Sequence, residues 1–253
     1  MNSASQKEIQ VPDPGRDIDL SVVMPVYNEE KTVEESIRRI EAFMRLRGKP
    51  WELIIVNDGS TDQTETIVKT QCGSRENGSV ILHSYSQNKG KGYAVRRGML
   101  AAQGRYVLLT DADLSTPIKE VDKLLLRLES GFDVAIGSRA HKEPDCDVRQ
   151  TLKRRISGRV FNFFVQRLVL KGIRDSQCGF KAFTRKAARD LFELQSLDGF
   201  SFDVEILYLA RIKGYRIAEV PVMWQQGPQS KVSLVKDSLR MLSDLTRIKQ
   251  RHG

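Results

Sequence analysis

Cysteine, histidine and long apolar runs are all scarce in this chain of 253 residues. No stretch of about 18 apolar residues occurs, so no membrane-spanning helix is expected. Cys72, Cys146 and Cys178 stand far apart and outside any metal-ligand spacing. That argues against a disulfide framework or a zinc site and favours reduced, inert thiols in a cytoplasmic setting. His83, His141 and His252 are equally scattered, and none is a candidate ligand or base. Residues 1–19 lack the apolar core of a secretory signal and read as a polar, proline-bearing tail. Two nucleotide signatures are missing as well. No G-x-G-x-x-G follows the first apolar strand, and no G-x-x-x-x-G-K-[ST] occurs anywhere, which excludes a dinucleotide-binding Rossmann site and a P-loop.

What is present in excess is positive charge, and it is concentrated. Between Ser138 and Lys186 thirteen Lys or Arg face four Asp or Glu, a surplus of nine that equals the net charge of the whole chain. Such segregation points to an anionic partner: a phosphate, an anionic membrane face or nucleic acid. A solvated basic helix face is the structural alternative.

The first half alternates short apolar strands with helical patterns, the signature of a mostly parallel α/β sheet flanked by helices. Strands are expected at Leu20–Met24, Trp51–Val56, Val80–His83, Tyr106–Leu109 and Val134–Gly137. Val33, Ile37, Ile40 and Met44 recur at helical spacing within a helix over about 31–47. The second half is less regular. Strands are expected at Phe180–Thr184 and Ile217–Val222, with amphipathic helices over about 152–170 and 232–247. The expected organisation is a tail (1–19), a catalytic domain (20–231) and a basic amphipathic C-terminal helix (232–253). Phe161, Phe163 and Phe164 beside Arg154 and Arg159 fit a lipid-facing helix or one packed on the sheet. The C-terminal helix poses the same choice.

The strand Tyr106–Leu109 runs into two carboxylates, Asp111 and Asp113, separated by one small residue. In extended geometry both would point the same way at the strand's carboxyl end, where open α/β sheets bind ligands. Paired hard oxygen donors suit Mg²⁺ or Mn²⁺ that also holds substrate phosphates. A solvated turn ahead of Pro117 is the alternative. Pro25-Val-Tyr-Asn-Glu29 follows the first strand and Asn57-Asp-Gly-Ser-Thr-Asp62 the second, so three polar loops share one sheet edge. Tyr27 can pack a base and Asp58 can accept hydrogen bonds from base or ribose. Gly90-Lys91-Gly92 opens a helix whose N-terminus can help to hold an anion, a plain helix entry being the alternative. A nucleoside diphosphate with a divalent ion satisfies this inventory, whereas paired carboxylates would oppose nucleic acid.

With these residues in view, the chain resembles the family 2 inverting glycosyltransferases, whose nucleotide-sugar-binding α/β fold is called GT-A. Within that family it looks most like the dolichyl- or polyprenyl-phosphate glucosyltransferases, with mannosyl-phosphate-dolichol synthases as close relatives. The likeness spans roughly 21–236. It rests on the loops just quoted and on Asn88-Lys-Gly-Lys-Gly92, Asp111-Ala-Asp-Leu114, Gly137-Ser-Arg139, Gly199-Phe-Ser-Phe-Asp203 and Glu219-Val-Pro221. The more discriminating block is Gly172-Ile-Arg-Asp-Ser-Gln-Cys-Gly-Phe-Lys181, which favours the lipid-phosphate glucosyl branch.

The resemblance implies metal-dependent transfer of a hexose, glucose from UDP-glucose, to a polyprenyl or dolichyl phosphate, with peripheral contact at the cytoplasmic membrane face and no nucleic-acid partner. A saccharide or protein hydroxyl as acceptor, or GDP-mannose as donor, are the alternatives. It further implies that Pro25, Tyr27, Glu29, Asp58, Lys91 and Asp111 bind the nucleotide sugar, and that Asp111 and Asp113 hold Mg²⁺ or Mn²⁺. Arg139, Arg154, Arg155 and Lys231 would receive the acceptor phosphate. Asp203 would join Asp111 and Asp113 as an acidic active-site residue; a buried structural role, paired with an arginine, is the alternative. The sequence departs from many relatives in two places: Asn57 stands where a first aspartate is common, and Ser115 replaces a glutamine that contacts metal in some mannosyl-transferring relatives.

Overall fold

A computed structural model of the chain describes residues 17–139, 172–225 and 236–252. Most of the expected 1–19 tail, the expected helix over 152–170, Cys146 and His141, and three candidate site residues, Arg154, Arg155 and Lys231, lie outside the described residues. The described elements run β1 (Leu20–Val26), α1 (Val33–Arg47), β2 (Trp51–Asp58), α2 (Thr64–Gln71), β3 (Gly73–Arg75), β4 (Gly78–Tyr85), α3 (Lys91–Ala101), β5 (Tyr106–Leu109), α4 (Val121–Glu129) and β6 (Val134–Ser138). After the undescribed stretch come β7 (Lys181–Thr184), α5 (Arg185–Leu194), α6 (Phe202–Ile212), β8 (Ile217–Pro221) and α7 (Lys236–His252).

One sheet holds the eight described strands, in the order β3-β4-β2-β1-β5-β7-β6-β8. The pairs β1/β2, β1/β5, β2/β4 and β6/β8 are parallel. β7 is antiparallel to both β5 and β6, and β3 is antiparallel to β4. Six strands therefore share one direction and end on one edge. The chain builds outward from β1 through β2 to β4, then returns to the other side of β1 for β5. That reversal is the topological switch point, and the crevice beyond β1 and β5 is where such sheets take ligands.

Both faces of the sheet are covered, which is why β1 and β2 are buried at every position. Strand alternation divides their side chains between two cores. Val22, Met24, Leu53, Ile55 and Leu108 join Val33, Ile37, Ile40 and Met44 of α1 on one face. Val23, Ile54, Val56, Val107 and Leu109 pack on the other face with Ala94 and Val95 of α3, Leu191 and Phe192 of α5, and Leu207 of α6. The α1 residues are those expected from periodicity. The helix stops at Gly48, whose positive φ of 65° turns its N–H back onto the carbonyls of Met44 and Arg45.

Four elements were not among the expected ones. β3 is three residues of Gly-Ser-Arg and has no apolar pattern to betray it. α4 buries Val121, Leu124, Leu125 and Leu128, an ordinary i, i+3, i+4, i+7 stripe. α5 is capped by Thr184, whose hydroxyl accepts from the Ala187 N–H at 3.3 Å. α6 is buried from Phe202 through Leu207, acids included, so it presents no amphipathic stripe.

α7 runs on to His252, past the expected end at Arg247, and it lies against α6; residues 232–235 of the expected helix lie outside the described residues. Ile248 belongs to the second core, the Ser201 hydroxyl donates to Asp244 at 2.7 Å, and His252 meets Glu205 at 2.9 Å. Among the described residues, no helix is long and apolar enough to cross a membrane.

Candidate active site

The polar loops expected to converge do so, and their own hydrogen bonds stitch them together. Beyond β1, Asn28 takes a positive φ of 53°. Its N–H donates to the Ser60 hydroxyl at 2.9 Å, and its side-chain oxygen accepts from the Thr61 N–H at 2.8 Å. The Glu29 N–H donates to Thr64 at 2.7 Å, while the Glu29 carboxylate accepts from Thr32 at 2.8 Å. Pro25 is buried inside β1 opposite Val56. Tyr27, the next residue but one, is 37% exposed at the mouth of the loop.

Asn57 and Asp58 end β2 rather than forming the turn after it. Asn57 donates to Glu65 at 3.1 Å and to Ser84 at 3.0 Å, so a second aspartate here would set two like charges against each other. Asp58 is buried, and its carboxylate is heavily used. It accepts from Tyr85 and the Lys89 N–H at 2.8 Å through Oδ1, and from Asn88 at 2.8 Å and the Gly90 N–H at 2.9 Å through Oδ2. Four donors fill the acceptor directions of a carboxylate. Asp58 thus fastens the end of β2 to the loop that delivers Lys91.

Of the two readings of the glycines around Lys91, the structure favours the plain helix entry. A Cβ on Gly90 or Gly92 would lie 2.4 Å from the carbonyl oxygens of Asp198 and Leu197 respectively. The N–H groups of Gly92 and Tyr93 both donate to Asp198 O, at 2.8 and 3.3 Å. The start of α3 is therefore closed by backbone, and these two N–H groups are not offered to an anion. Lys91 itself reaches the acidic turn, with Nζ 2.6 Å from Asp111 Oδ1.

The Asp111–Asp113 segment is not extended. β5 ends at Leu109, the Leu114 N–H donates back to Asp111 O at 3.2 Å, and Leu114 adopts a φ of 46°. Strand alternation therefore does not aim the two carboxylates; a turn does, beginning after the Thr110 N–H donates to Val23 O at 3.0 Å. Ser115 ties Asp113, donating its N–H to Oδ1 at 2.9 Å and its hydroxyl to Oδ2 at 2.7 Å. Ser36 of α1 donates to Ala112 O at 2.5 Å and anchors the turn from the other side. Burial opposes ionisation of Asp111, but the Lys91 ammonium, aided by Lys181 and Arg139, holds its carboxyl below the usual range. Burial likewise works against Lys91, whose ammonium is kept by Asp111, Asp203 and Asp113 and titrates above its usual range.

Across β5 the same edge receives Arg139 from the end of β6 and Lys181 from the start of β7. Arg139 forms a two-bond fork with Asp175, Nε to Oδ2 at 2.7 Å and Nη2 to Oδ1 at 2.8 Å. Lys181 is buried, donating 2.5 Å bonds to Asp203 Oδ1 and to the Cys178 carbonyl. Asp203 is thus paired with a lysine, where an arginine was the expected structural partner. Between them Gly179 abuts Asp111 so closely that a Cβ would sit 2.1 Å from Oδ2. Burial pushes the Cys178 thiol up to about 11, so it stays protonated and inert. Asp175, Gly179 and Lys181 all lie in the block that discriminates best at the sequence level. Periodicity gave no hint of their roles, because each depends on a partner that only folding supplies.

Among the described residues no three His, Cys, Asp or Glu gather as a metal cage. Two carboxylates at a strand exit nonetheless fit Mg²⁺ or Mn²⁺, which commonly bind through one or two carboxylates and complete their shell with water and substrate phosphate. Asp111 is ionised and its side chain is 39% exposed, as such a ligand must be.

Comparison with known proteins places the chain in a family and a fold. Residues 21–192 match glycosyl transferase family 2. The dolichyl-phosphate beta-glucosyltransferase of Dictyostelium discoideum is 37% identical over 243 residues, covering 92% of this chain and 74% of that protein. The human protein of the same name is 36% identical over 244 residues, covering 92% and 75%. Among solved structures, glucosyl-3-phosphoglycerate synthase from Mycobacterium tuberculosis in complex with Mn²⁺, UDP and glucosyl-3-phosphoglycerate aligns with a TM-score of 0.63 at 21% identity, over 93% of this chain and 79% of that one. Mannosyl-3-phosphoglycerate synthase from Rubrobacter xylanophilus aligns with a TM-score of 0.64 at 20% identity, over 92% and 73%. The chain belongs to glycosyl transferase family 2, has the GT-A fold and is a glycosyltransferase.

Proposed function

We propose that this family 2 glycosyltransferase transfers glucose from UDP-glucose to a dolichyl or polyprenyl phosphate at a membrane surface, with Mg²⁺ or Mn²⁺ held by Asp111 and Asp113. The observation that carries the reading is the pairing of opposite chemistries on one sheet edge: an acidic turn after β5 and a cationic Arg139 after β6, each feeling the other's charge. The names of the relatives support the sugar and the lipid phosphate.

In this reading Tyr27 packs the base, Glu29 contacts the nucleoside and Pro25 fixes the loop that carries both. Asp58 shapes the nucleotide pocket through the 88–90 loop, and Lys91 turns from Asp111 toward the donor diphosphate. Bound at Asp111 and Asp113, the divalent ion would act as a Lewis acid that stabilises the leaving diphosphate. Arg139 receives the acceptor phosphate, joined by Arg154, Arg155 and Lys231. An oxygen of that phosphate attacks the anomeric carbon, the bond to the UDP oxygen breaks, and the anomeric configuration inverts. A phosphate monoester has its second pKa near ~6 and is already anionic at neutral pH. No base is required, which accords with Asp203 being committed to Lys181.

The test is transfer from a panel of UDP- and GDP-sugars, with Mg²⁺ or Mn²⁺, to short polyprenyl phosphates, the matching polyprenols and simple saccharides. Glucosylated product is expected only with UDP-glucose and the phosphates. Equal transfer to polyprenols or saccharides would assign a hydroxyl acceptor instead, and product from GDP-mannose alone would replace the donor.

A further inference from the structure

The guanidinium of Arg139 is held in advance of any substrate. Besides the Nε and Nη2 fork, the Arg139 backbone N–H donates to Asp175 Oδ2 at 2.9 Å. Three donors from one residue on one carboxylate fix both the plane of the guanidinium and its direction. Asp175 is held in turn. Its N–H and that of Arg174 donate to the two oxygens of Glu219, at 2.9 and 3.0 Å. Glu219 lies on β8 in register with Ile136 of β6, three residues before Arg139. The relay Glu219–Asp175–Arg139 thus leaves the sheet and returns to its edge. The Trp224 ring stands 5.8 Å from the guanidinium carbon and limits its motion on another side.

We propose that Asp175 is the positioning residue for the acceptor phosphate, presetting Arg139 by its Nε–Nη2 edge while Glu219 fixes Asp175. A guanidinium has five N–H donors. The fork with Asp175 uses two, and the remaining donors on Nη1 and Nη2 suffice for a phosphate. Geometry and charge predict opposite effects here. Asp175 carries a negative charge beside the cation, so on charge alone its removal would strengthen phosphate binding. If it positions Arg139, its removal weakens binding, because a loose guanidinium must be ordered again for each encounter. The inference rests on the reading that Arg139 receives the acceptor phosphate.

The experiment measures KM for a short polyprenyl phosphate and, separately, KM for UDP-glucose, in Asp175→Asn, Glu219→Gln and Arg139→Lys, with thermal midpoints alongside. Asp175→Asn is expected to raise the acceptor KM at least about tenfold, the size of a charge-assisted hydrogen bond. The donor KM, measured on folded protein well below the thermal midpoint, is expected to stay as in the parent. Glu219→Gln shows the same split at smaller size and serves if Asp175→Asn does not fold. Arg139→Lys, which cannot form the fork, raises the acceptor KM too. An acceptor KM that is unchanged or lower in Asp175→Asn, with Arg139→Lys impaired, overturns the positioning role and leaves the function standing. Donor KM and acceptor KM rising together would make Asp175 a structural residue. Normal acceptor KM in Arg139→Lys removes the premise and the inference with it.

Discussion

Lys181 and Asp203 form an ion pair inside the protein, with side chains 1% and 7% exposed and Nζ 2.5 Å from Oδ1. The pair links β7 to the first turn of α6, and the second bond from Lys181 to the Cys178 carbonyl extends it to the loop beside Asp111. Removing one partner of a buried pair leaves a charge without water or counter-ion, at a cost of about 3–5 kcal/mol. Lys181→Met is therefore expected to lower unfolding free energy by that order in urea titrations, and Lys181→Met with Asp203→Leu to recover most of it. With folded protein normalised, Asp203→Asn retains measurable turnover, whereas Asp113→Asn abolishes it. Equal and total loss in both, on an intact fold, would make Asp203 a general base and the acceptor a hydroxyl.

Gly179 has no room for a side chain, since its Cβ would lie 2.1 Å from Asp111 Oδ2. Gly179→Ala must displace the Asp111 carboxylate or the loop. Misplacement of a reacting group by about 1 Å can cost about a hundredfold in rate. Turnover is expected to fall by that order while the urea midpoint stays near the parent value, because the clash falls on a partly exposed carboxylate and not on either core. Parent-like turnover would mean that Asp111 does not need its present pose.

Lys91 holds Oδ1 of Asp111 at 2.6 Å, so a divalent ion held by Asp111 would share that carboxylate with its ammonium. Without nucleotide, Lys91→Met is expected to strengthen Mn²⁺ binding, read by calorimetry or by the spin-resonance signal of free Mn²⁺. The same variant is expected to bind UDP more weakly, since the diphosphate loses a cation. Weaker Mn²⁺ binding in Lys91→Met would show that Lys91 helps to hold Asp111 in place for the ion and does not compete with it.

The C-terminal helix buries Ile248 in the second core and hydrogen-bonds to α6 through Asp244 and His252. Ile248→Ala is expected to cost about 2–5 kcal/mol of stability, the usual range for removing a buried isoleucine side chain. Binding to anionic vesicles should be unaffected by that change and reduced by neutralising Arg247, Lys249 and Arg251 together. Unchanged stability in Ile248→Ala would assign this helix face to another partner.

The succession of strands, the helices between them and the gathering of polar loops at one edge were legible in the sequence. They arise from local rules: apolar runs too short for helices, helical spacing between them, and polar residues where strands stop. Val33, Ile37, Ile40 and Met44 needed nothing beyond their spacing to be placed. The antiparallel insertion of β7 was not legible, because strand direction is set by the connection and not by composition.

At the site the division is similar. Residue type and position pointed to Asp111 and Asp113, and the family resemblance to Arg139, yet strand alternation was the wrong account of the Asp pair. The chain beyond Thr110 turns, with the Leu114 N–H on Asp111 O and Ser36 of α1 on Ala112 O, and the second of these partners is supplied only by folding. Asp58 was chosen for its charge, but four donors from Tyr85, Asn88, Lys89 and Gly90 decide how that charge is used. Asp175, Gly179 and Lys181 stood in plain view without roles. An ion pair or a close approach exists only between residues that folding brings together, so the sequence determined which chemistry was available, and tertiary contact decided which group holds which.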